Sequence, residues 1–224
     1  MQIRIKICGL TRTQDIEDAV QAGADAIGLV QYAPSARFVS TDRLPELASA
    51  IPAFVTPVLL YVNAAPAEIE AGLRAVPHAM LQFHGDETPE ECERWGRPYL
   101  RAARIPDPSV EAFDLLQYCQ RFHRALGILL DAKIDAYGGG GHTFNWAAFD
   151  WSQPQLNAST RLVLSGGLTS ANVIDGIALV RPWAVDVSSG VESAKGIKDR
   201  NKLQAFIEAV RNGEEILKKS AKIP

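Results

Sequence analysis

The segment R-I-K-I-C-G-L-T-R-T-Q-D-I-E-D-A-V-Q-A-G-A-D-A-I-G-L-V-Q-Y at residues 4–32 contains the unit from which the rest of the chain is built. It begins and ends with a short apolar run, a pattern typical of buried strands. Between these runs Ile16, Ala19 and Val20 follow helical spacing, and Gly23 is a suitable helix stop. The segment therefore predicts a strand, a helix and a second strand.

Eight apolar runs of this kind lie along the chain, and they start roughly 26 residues apart, as strand–helix units do. They occupy residues 4–10, 26–32, 56–63, 79–84, 99–105, 126–133, 161–166 and 184–190. Helical spacing appears at residues 13–22, 41–51, 66–76, 88–95, 110–119, 170–180 and 200–211, and more weakly after Trp146. We therefore predict an α/β fold, a single (β/α)8 TIM barrel at residues 1–212, with a basic C-terminal tail at 213–224. An open doubly wound sheet is the chief alternative, but G-x-G-x-x-G is absent after the first strand.

The composition excludes several classes of protein. With 224 residues and 47% hydrophobic content, the chain can form a continuous core. Its 23 basic and 26 acidic residues give a net charge of −3 without charge blocks, so we expect neither a nucleic-acid partner nor a membrane partner. The three cysteines show no C-x-x-C spacing, which favours the reducing cytoplasm over a disulfide framework. No run approaches the ~18 apolar residues of a membrane span.

Two glycine motifs follow the last two predicted strands. Ser-Gly-Gly at 165–167 follows the seventh strand, and Ser-Ser-Gly at 188–190 follows the eighth. The loops after these two strands form the usual phosphate site of such a barrel, because glycine lets backbone N–H groups approach an anion closely. Each motif alone is also compatible with an ordinary tight turn. Together they predict a phosphate-bearing small-molecule ligand.

Cys8 and Asp131 each end an apolar strand and are expected at the same rim of the barrel. An acid and a base that face each other across the mouth suit proton transfer on a sugar phosphate. The alternatives are a small core residue for Cys8 and a helix cap for Asp131. Arg37, in the loop after the second strand, is a candidate clamp for a carboxylate.

A metal site is not expected. The four histidines show neither H-x-H nor H-E-x-x-H spacing, so we predict that catalysis needs no metal. The glycine-rich loop at 136–144 is compatible with either a mobile lid or a flexible connection.

Strand alternation adds a hypothesis about Cys8. Lys6 and Cys8 lie on the same face of the first strand, whereas Ile5 and Ile7 face the helices. The closing strand lies beside the first, so Asp186 is the candidate partner of a buried Lys6 ammonium. A lysine that extends to solvent is the alternative. In the first case the positive charge of Lys6 favours the thiolate of Cys8.

Several motifs together resemble one family, the phosphoribosylanthranilate isomerases of tryptophan biosynthesis. They are K-I-C-G-L-T at 6–11, G-A-D-A-I-G-L-V at 23–30, Q-F-H-G at 82–85, L-L-D-A-K at 129–133, Y-G-G-G-G at 137–141, L-S-G-G-L-T-S-A-N-V at 164–173 and V-D-V-S-S-G-V-E at 185–192. The resemblance implies a barrel that needs neither metal nor cofactor. It would convert N-(5′-phosphoribosyl)anthranilate to 1-(2-carboxyphenylamino)-1-deoxyribulose 5-phosphate by an Amadori rearrangement. A monomer and a homodimer both remain open.

The resemblance also implies residue roles. Cys8 would be the general base, Asp131 the general acid and Arg37 the ligand of the anthranilate carboxylate. The remaining implied contacts are Asp186 to a sugar hydroxyl, the backbone of Gly166, Gly167, Ser189 and Gly190 to the phosphate, and His84 as a further candidate for substrate binding.

One motif departs from the family pattern, and two alternative functions stay open. The glycine loop departs from the family pattern, since it reads G-G-G-G-H at 138–142, which leaves the role of His142 unassigned. One alternative function is the related isomerase of histidine biosynthesis, which is expected to carry aspartate at position 8. The other is a phosphosugar-binding barrel without catalysis.

Overall fold

The computed structural model describes residues 2–107, 109–132, 143–151 and 161–220. Eight parallel strands form a closed barrel in which each strand pairs with the next along the chain and β8 pairs with β1. The strands are β1 Arg4–Cys8, β2 Ala26–Val30, β3 Thr56–Tyr61, β4 Met80–Phe83, β5 Tyr99–Ile105, β6 Gly127–Ala132, β7 Leu162–Leu164 and β8 Ala184–Val187. The predicted barrel is confirmed, and the open doubly wound sheet is excluded.

The connections between strands are mainly helical. The α-helices are Thr13–Ala22, Leu44–Ser49, Pro66–Ala75, Pro89–Glu93, Leu115–Arg121, Val173–Val180 and Arg200–Ser220. Single 3-10 turns lie at Thr41–Arg43, Trp146–Ala148 and Ser189–Val191. After β8 the chain forms a small antiparallel hairpin of β9 Glu192–Ala194 and β10 Ile197–Lys198, which was not predicted.

Some predicted boundaries were too long because apolar residues continue into the loops. The first predicted strand ends at Cys8 instead of residue 10, since Gly9 turns the chain with a φ of 73°. The helix predicted over 110–119 is observed at Leu115–Arg121, where the Asp114 side chain accepts a hydrogen bond from the backbone of Gln117 and caps the helix.

Strand alternation separates two apolar regions. Ile5 and Ile7 are fully buried in the core between the barrel and its helices. Inside the barrel, the end nearest the strand starts is filled by a cluster of Leu100, Ala102, Leu129, Val163 and Ala184. Cys8 belongs to a separate interior cluster with Val30, Leu60 and Val62. This arrangement agrees with the predicted parity of the first strand.

The C-terminal boundary differs from the predicted division at residue 212, because the last helix continues to Ser220. Glu214 is buried and accepts hydrogen bonds from the backbone N–H of Ile3 and from Arg211 Nη1. Leu217 packs against the core one turn later. The buried carboxylate interrupts the apolar spacing, which explains why the sequence pattern stops early. Residues 221–224 lie outside the described part of the chain.

Candidate active site

One cavity opens at the end of the barrel where the strands finish, the end at which such barrels carry their chemistry. Its lining includes most of the residues predicted for the site: Cys8, Arg37, His84, Asp131, Gly166, Gly167, Asp186 and Ser189. Gly190 lies behind the lining, where a Cβ would stand 1.9 Å from the carbonyl oxygen of Leu168. The tertiary structure thus brings together predicted site residues from six of the eight strand–loop units.

Cys8 is the last residue of β1 and is 5% exposed. Its neighbour in register on β2 is Gly28. A Cβ at Gly28 would lie 2.8 Å from Cys8 Sγ and 3.0 Å from Lys6 Nζ. Only glycine therefore leaves room for the thiol and the ammonium beside each other.

Lys6 forms the predicted ion pair with Asp186, with 2.8 Å between Nζ and Oδ1, and both side chains are almost fully buried. Burial disfavours the Lys6 ammonium, but the charges of Asp186 and Cys8 outweigh burial and raise the pKa of Lys6 above its ordinary value. Asp186 Oδ2 also accepts a hydrogen bond of 3.3 Å from Ser165 Oγ. Lys6 is therefore a fixed cation beneath the cavity, and it does not extend to solvent.

Two opposing effects act on the Cys8 thiol. Burial raises the pKa of Cys8 above its ordinary value, whereas the positive charge of Lys6 lowers it. Burial is the larger effect, so the net direction is upward. Lys6 acts in the direction predicted from the sequence without overcoming the effect of burial.

Asp131 stands at the end of β6 and is held from two sides. Its Oδ1 accepts a hydrogen bond from the backbone of Ala132 at 2.9 Å, and its Oδ2 lies 3.1 Å from His84 Nε2. On the other side of the imidazole, Gln82 Nε2 lies 3.2 Å from His84 Nδ1. With the Gln82 amide donating to Nδ1, the His84 proton is on Nε2 and points at the carboxylate. His84 thus contacts the candidate acid and also lines the cavity.

The backbone around His84 is fixed by Arg101, which sequence reasoning missed. Arg101 Nη1 donates to the carbonyl of Phe83 and Nη2 donates to that of Gly85, both at 2.9 Å. Arg101 is 4% exposed and lies on the helix-facing side of β5, where an arginine is unexpected. An arginine in the middle of an apolar strand is the signal that could have revealed this contact.

The two predicted phosphate loops present free backbone donors. Gly166 and Gly167 have positive φ angles of 81° and 60°. Within the described chain, the N–H groups of these two glycines, Ser189 and Gly190 donate no hydrogen bond. Asn172 fixes the first loop, since its Oδ1 accepts from the backbone of Thr169 at 2.8 Å and its Nδ2 donates to the carbonyl of Gly167 at 3.0 Å. Three of these unpaired donors belong to residues that line the cavity, and such a group suits an anion.

Arg37 lies at the cavity but is already paired. Its Nε and Nη2 donate to the two carboxylate oxygens of Glu192 at 2.7 and 2.8 Å. Glu192 also contacts Lys198, with 2.9 Å between Oε1 and Nζ. Both residues come from the unpredicted β9–β10 hairpin, so the sequence alone did not indicate them as part of the site.

Residues 133–142, with His142 and the four glycines, lie outside the described residues. In the part of the chain that is described, no group of three His, Cys, Asp or Glu side chains is close enough to bind a metal ion. Across the described helices, none has the length and apolar character needed to cross a bilayer.

The family model described as N-(5′-phosphoribosyl)anthranilate (PRA) isomerase matches residues 5–209. The chain belongs to this family. It is accordingly an isomerase of tryptophan biosynthesis that converts N-(5′-phosphoribosyl)anthranilate to the aminodeoxyribulose 5-phosphate product by an Amadori rearrangement.

Individual PRA isomerases are similar over nearly the whole chain. The protein from Methylibium petroleiphilum is 56% identical over 214 residues, which cover 96% of each chain. The crystal structure of the enzyme from Thermotoga maritima has a TM-score of 0.82 at 35% identity and covers 94% of this chain and 100% of its own. A PRA isomerase structure in complex with reduced 1-(o-carboxyphenylamino)-1-deoxyribulose 5-phosphate has a TM-score of 0.78 at 32% identity, with 94% and 100% coverage.

Proposed function

We propose that Asp131 is the general acid and Cys8 the general base of this isomerase reaction. Asp131 protonates the furanose ring oxygen, the bond from C1 to that oxygen breaks, and the nitrogen lone pair forms the C=N bond of a Schiff base. Cys8, as the thiolate, then removes the proton from C2. The electrons of the C–H bond form the C1=C2 bond of an enolamine, and the electrons of the C=N double bond return to the nitrogen as its lone pair. Tautomerisation moves a proton from the C2 hydroxyl to C1 and gives the ketone.

The observation that carries this proposal is the single cavity lined by both residues. Cys8 enters it from β1 and Asp131 from β6, so the two groups approach a bound ligand from different sides of the mouth. Lys6 lies beside Cys8, which supports formation of the thiolate. His84 contacts Asp131 and is the further candidate for positioning the acid or the substrate.

The remaining residues would hold the two ends of the substrate. We assign the phosphate to the free N–H groups of Gly166, Gly167, Ser189 and Gly190, and the anthranilate carboxylate to Arg37. Asp186 would accept a hydrogen bond from a sugar hydroxyl at the floor of the cavity. When both ends of the substrate are bound, the binding energy holds the reacting carbons in a fixed orientation relative to the acid and the base. The relative that was crystallised with the reduced product analogue supports a site for both ends.

The test uses freshly generated N-(5′-phosphoribosyl)anthranilate and the loss of its fluorescence. Cys8→Ser and Asp131→Asn should each lower kcat by roughly 10²-fold or more. A serine hydroxyl is too weakly acidic to supply the base at neutral pH, and an asparagine amide cannot protonate the ring oxygen. Binding of the reduced product analogue should change little. Cys119→Ser is the matched control, since that thiol is buried in a helix away from the cavity. Near-normal kcat in Cys8→Ser or Asp131→Asn would contradict the assigned role.

We expect the reaction to need neither metal nor organic cofactor. The rearrangement needs hydrogen-bond donors and a positive charge to hold its substrate, and an acid and a base to move protons. Backbone N–H groups, an arginine and the acid–base pair described above supply them. Extensive dialysis against EDTA should therefore leave kcat unchanged. A loss of activity that zinc or magnesium restores would contradict this expectation.

We also propose that the protein forms a homodimer and that it is located in the cytoplasm. At the opposite end of the barrel, Met80, Leu126 and Trp183 line an apolar cavity, and Phe54 beside it is fully exposed with a φ of 72°. Such a patch is typical of an interface. A structure of monomers generated from the dimeric Thermotoga maritima enzyme, with a TM-score of 0.79, supports a second copy as the occupant. Cys8, Cys92 and Cys119 form no disulfide bond, which supports a reducing compartment.

Sedimentation of the wild type and of Phe54→Asp tests the dimer. The wild type should sediment at twice the mass of the chain, and Phe54→Asp should sediment as a monomer with unchanged far-UV circular dichroism. Leu179→Asp is the control, because Leu179 is an exposed apolar residue that does not line this cavity. A monomeric wild type at micromolar concentration would contradict the proposal.

A further inference from the structure

A buried cluster of three charged residues lies behind the proposed carboxylate site. It consists of Arg37, Glu192 and Lys198, whose side chains are 11%, 6% and 0% exposed. Glu192 and Lys198 belong to β9 and β10, and the hairpin brings them against the loop that carries Arg37. We refer to these three residues as the hairpin cluster.

The Glu192 carboxylate accepts four hydrogen bonds within the cluster and its hairpin. Oε1 accepts from Arg37 Nε at 2.7 Å, from Lys198 Nζ at 2.9 Å and from the backbone of Gly196 at 3.3 Å. Oε2 accepts from Arg37 Nη2 at 2.8 Å. Four donors, three of them from the cations Arg37 and Lys198, favour the ionised carboxylate. Glu192 is also not among the residues that line the cavity. Glu192 therefore acts on its neighbours and does not act on substrate.

The three acceptors around Lys198 Nζ can all receive a hydrogen bond only if the side chain is a charged ammonium. Its Nζ has three acceptors, namely Glu192 Oε1, the carbonyl of Ser188 at 3.0 Å and Ser188 Oγ at 3.3 Å. Three acceptors match the three donors of the charged amine. Because the side chain is fully buried, Lys198 cannot touch a ligand in the cavity. Its influence on a ligand is limited to charge and to the orientation of its partners.

Arg37 keeps part of its guanidinium for a ligand. The pair with Glu192 uses Nε and Nη2, and Nη1 has no hydrogen-bond partner among the residues that the structure describes. Gly9 allows this placement, since a Cβ there would stand 2.4 Å from Arg37 Cδ. The arginine stem thus lies across the end of β1 and reaches the cavity beside Cys8.

The charge of the cluster decides what this arginine can attract. Arg37 and Glu192 alone form a neutral pair, which gives a carboxylate little net attraction. Lys198 adds a second cation, so the cluster carries one net positive charge. Salt and water screen buried charges weakly, and the charge of Lys198 therefore extends to the cavity.

We propose that Lys198 and Glu192 are positioning residues for the carboxylate of the anthranilate ring. Glu192 fixes the orientation of Arg37, and Lys198 supplies the charge that keeps the Arg37–Glu192 pair attractive to an anion. This inference rests on the proposed role of Arg37. It adds two residues that do not touch the substrate but determine how selectively the site binds a carboxylated ring.

The test compares two ligands of the whole enzyme by titration calorimetry. One is reduced 1-(o-carboxyphenylamino)-1-deoxyribulose 5-phosphate, and the other is the same compound without the carboxyl group. Lys198→Met should weaken the carboxylated ligand about tenfold, because one weakly screened positive charge behind Arg37 is lost, and should change the other ligand less than about twofold. Lys198→Arg, which keeps the charge, should retain the wild-type ratio of the two affinities.

A purely structural role predicts a different result. Since Lys198 also contacts Ser188 beside the phosphate loop, a structural defect would weaken both ligands equally, and that outcome would overturn the proposal. If Lys198→Met does not fold, Lys198→Gln takes its place, because glutamine can still donate to the Ser188 carbonyl. The affinities of the same two ligands are then compared, and the same outcomes decide the proposal. Glu192→Gln should lower kcat/KM only when Arg37 is present, so it should have no further effect in Arg37→Ala.

The same experiment separates this inference from the proposed role of Arg37. If Arg37→Ala leaves the ratio of the two affinities unchanged, the assignment of Arg37 to the carboxylate is wrong. If Arg37→Ala removes the preference for the carboxylated ligand but Lys198→Met does not, only the hairpin-cluster inference is wrong.

Discussion

Lys6 and Asp186 face each other in register across the seam where β1 and β8 close the barrel, with 2.8 Å between Nζ and Oδ1. Each side chain is less than a tenth exposed, so neither charge could remain buried without the other. The pair separates the catalytic cavity from the cavity at the opposite end, since Asp186 lines the first and Lys6 lines the second. It therefore serves the closure of the barrel and the electrostatics of Cys8 together.

Replacing Lys6 by methionine should raise the pKa of Cys8. The charge of Lys6 lowers this pKa and that of Asp186 raises it, with Lys6 the stronger of the two. Titration of the thiolate absorbance, with Cys92 and Cys119 replaced by alanine, measures the shift. The double variant Lys6→Met with Asp186→Asn avoids an unpaired carboxylate and should show a smaller shift in the same direction. An unchanged Cys8 pKa in a folded variant would rule out activation by Lys6.

Gly28→Ala should damage catalysis more than folding. The new methyl group would stand 2.8 Å from Cys8 Sγ and 3.0 Å from Lys6 Nζ, so the thiol must move. We expect kcat to fall by roughly 10-fold or more, while the affinity for inorganic phosphate stays the same. Gly96→Ala is the control, because a Cβ there meets nothing within 4 Å and the cost, with φ at 58°, falls on stability alone. Equal kcat values in the two variants would contradict this prediction.

Truncation after Asn212 should destabilise the protein. It removes Glu214, which accepts a hydrogen bond from the backbone of Ile3, and Leu217, which packs on the core. Loss of a buried charged hydrogen-bond partner alone costs about 1.5–3 kcal/mol. Urea unfolding followed by tryptophan fluorescence checks this, with truncation after Ser220 as the control. Similar midpoints for the two truncated chains would show that residues 213–220 act as a dispensable tail.

Glu192 should make stability depend on acidic pH. Burial alone would raise its pKa, but hydrogen bonds and charges from Arg37 and Lys198 outweigh burial and lower it below the ordinary 4.5. The stabilisation is therefore complete above pH 4.5 and is lost as the pH falls through the lowered pKa. At pH 7, Glu192→Gln should cost about 3–5 kcal/mol, because Lys198 loses its buried counter-charge.

Unfolding of the wild type and of Glu192→Gln at several pH values measures that dependence. The difference in free energy of unfolding should be largest near pH 7 and should shrink below pH 4.5. Glu46→Gln is a control for general charge effects, since the Glu46 side chain is 62% exposed in its ion pair. A difference between wild type and Glu192→Gln that is constant with pH would exclude a role for ionised Glu192 in stability.

Much of the candidate site followed from local patterns in the sequence. Strand-length apolar runs at regular intervals predicted the barrel, and the polar residues that end those runs predicted Cys8, Asp131 and the two glycine loops. Alternation along β1 predicted that Lys6 faces inward, and adjacency of the first and last strands predicted its partner Asp186. The placement of these residues could be predicted because it depends on chain direction and strand parity, which a regular barrel fixes.

The partners of Arg37 and His84 could be found only in the tertiary structure. Arg37 and Glu192 are 155 residues apart in sequence, and their contact depends on a short hairpin that has no strong strand pattern. Gln82 lies on β4 and His84 directly follows that strand, but the contact of His84 with Asp131 crosses to β6 on another side of the barrel. Sequence periodicity determines which face a side chain occupies. Which charged groups then neutralise one another depends on distances of a few ångströms that the packed chain alone sets.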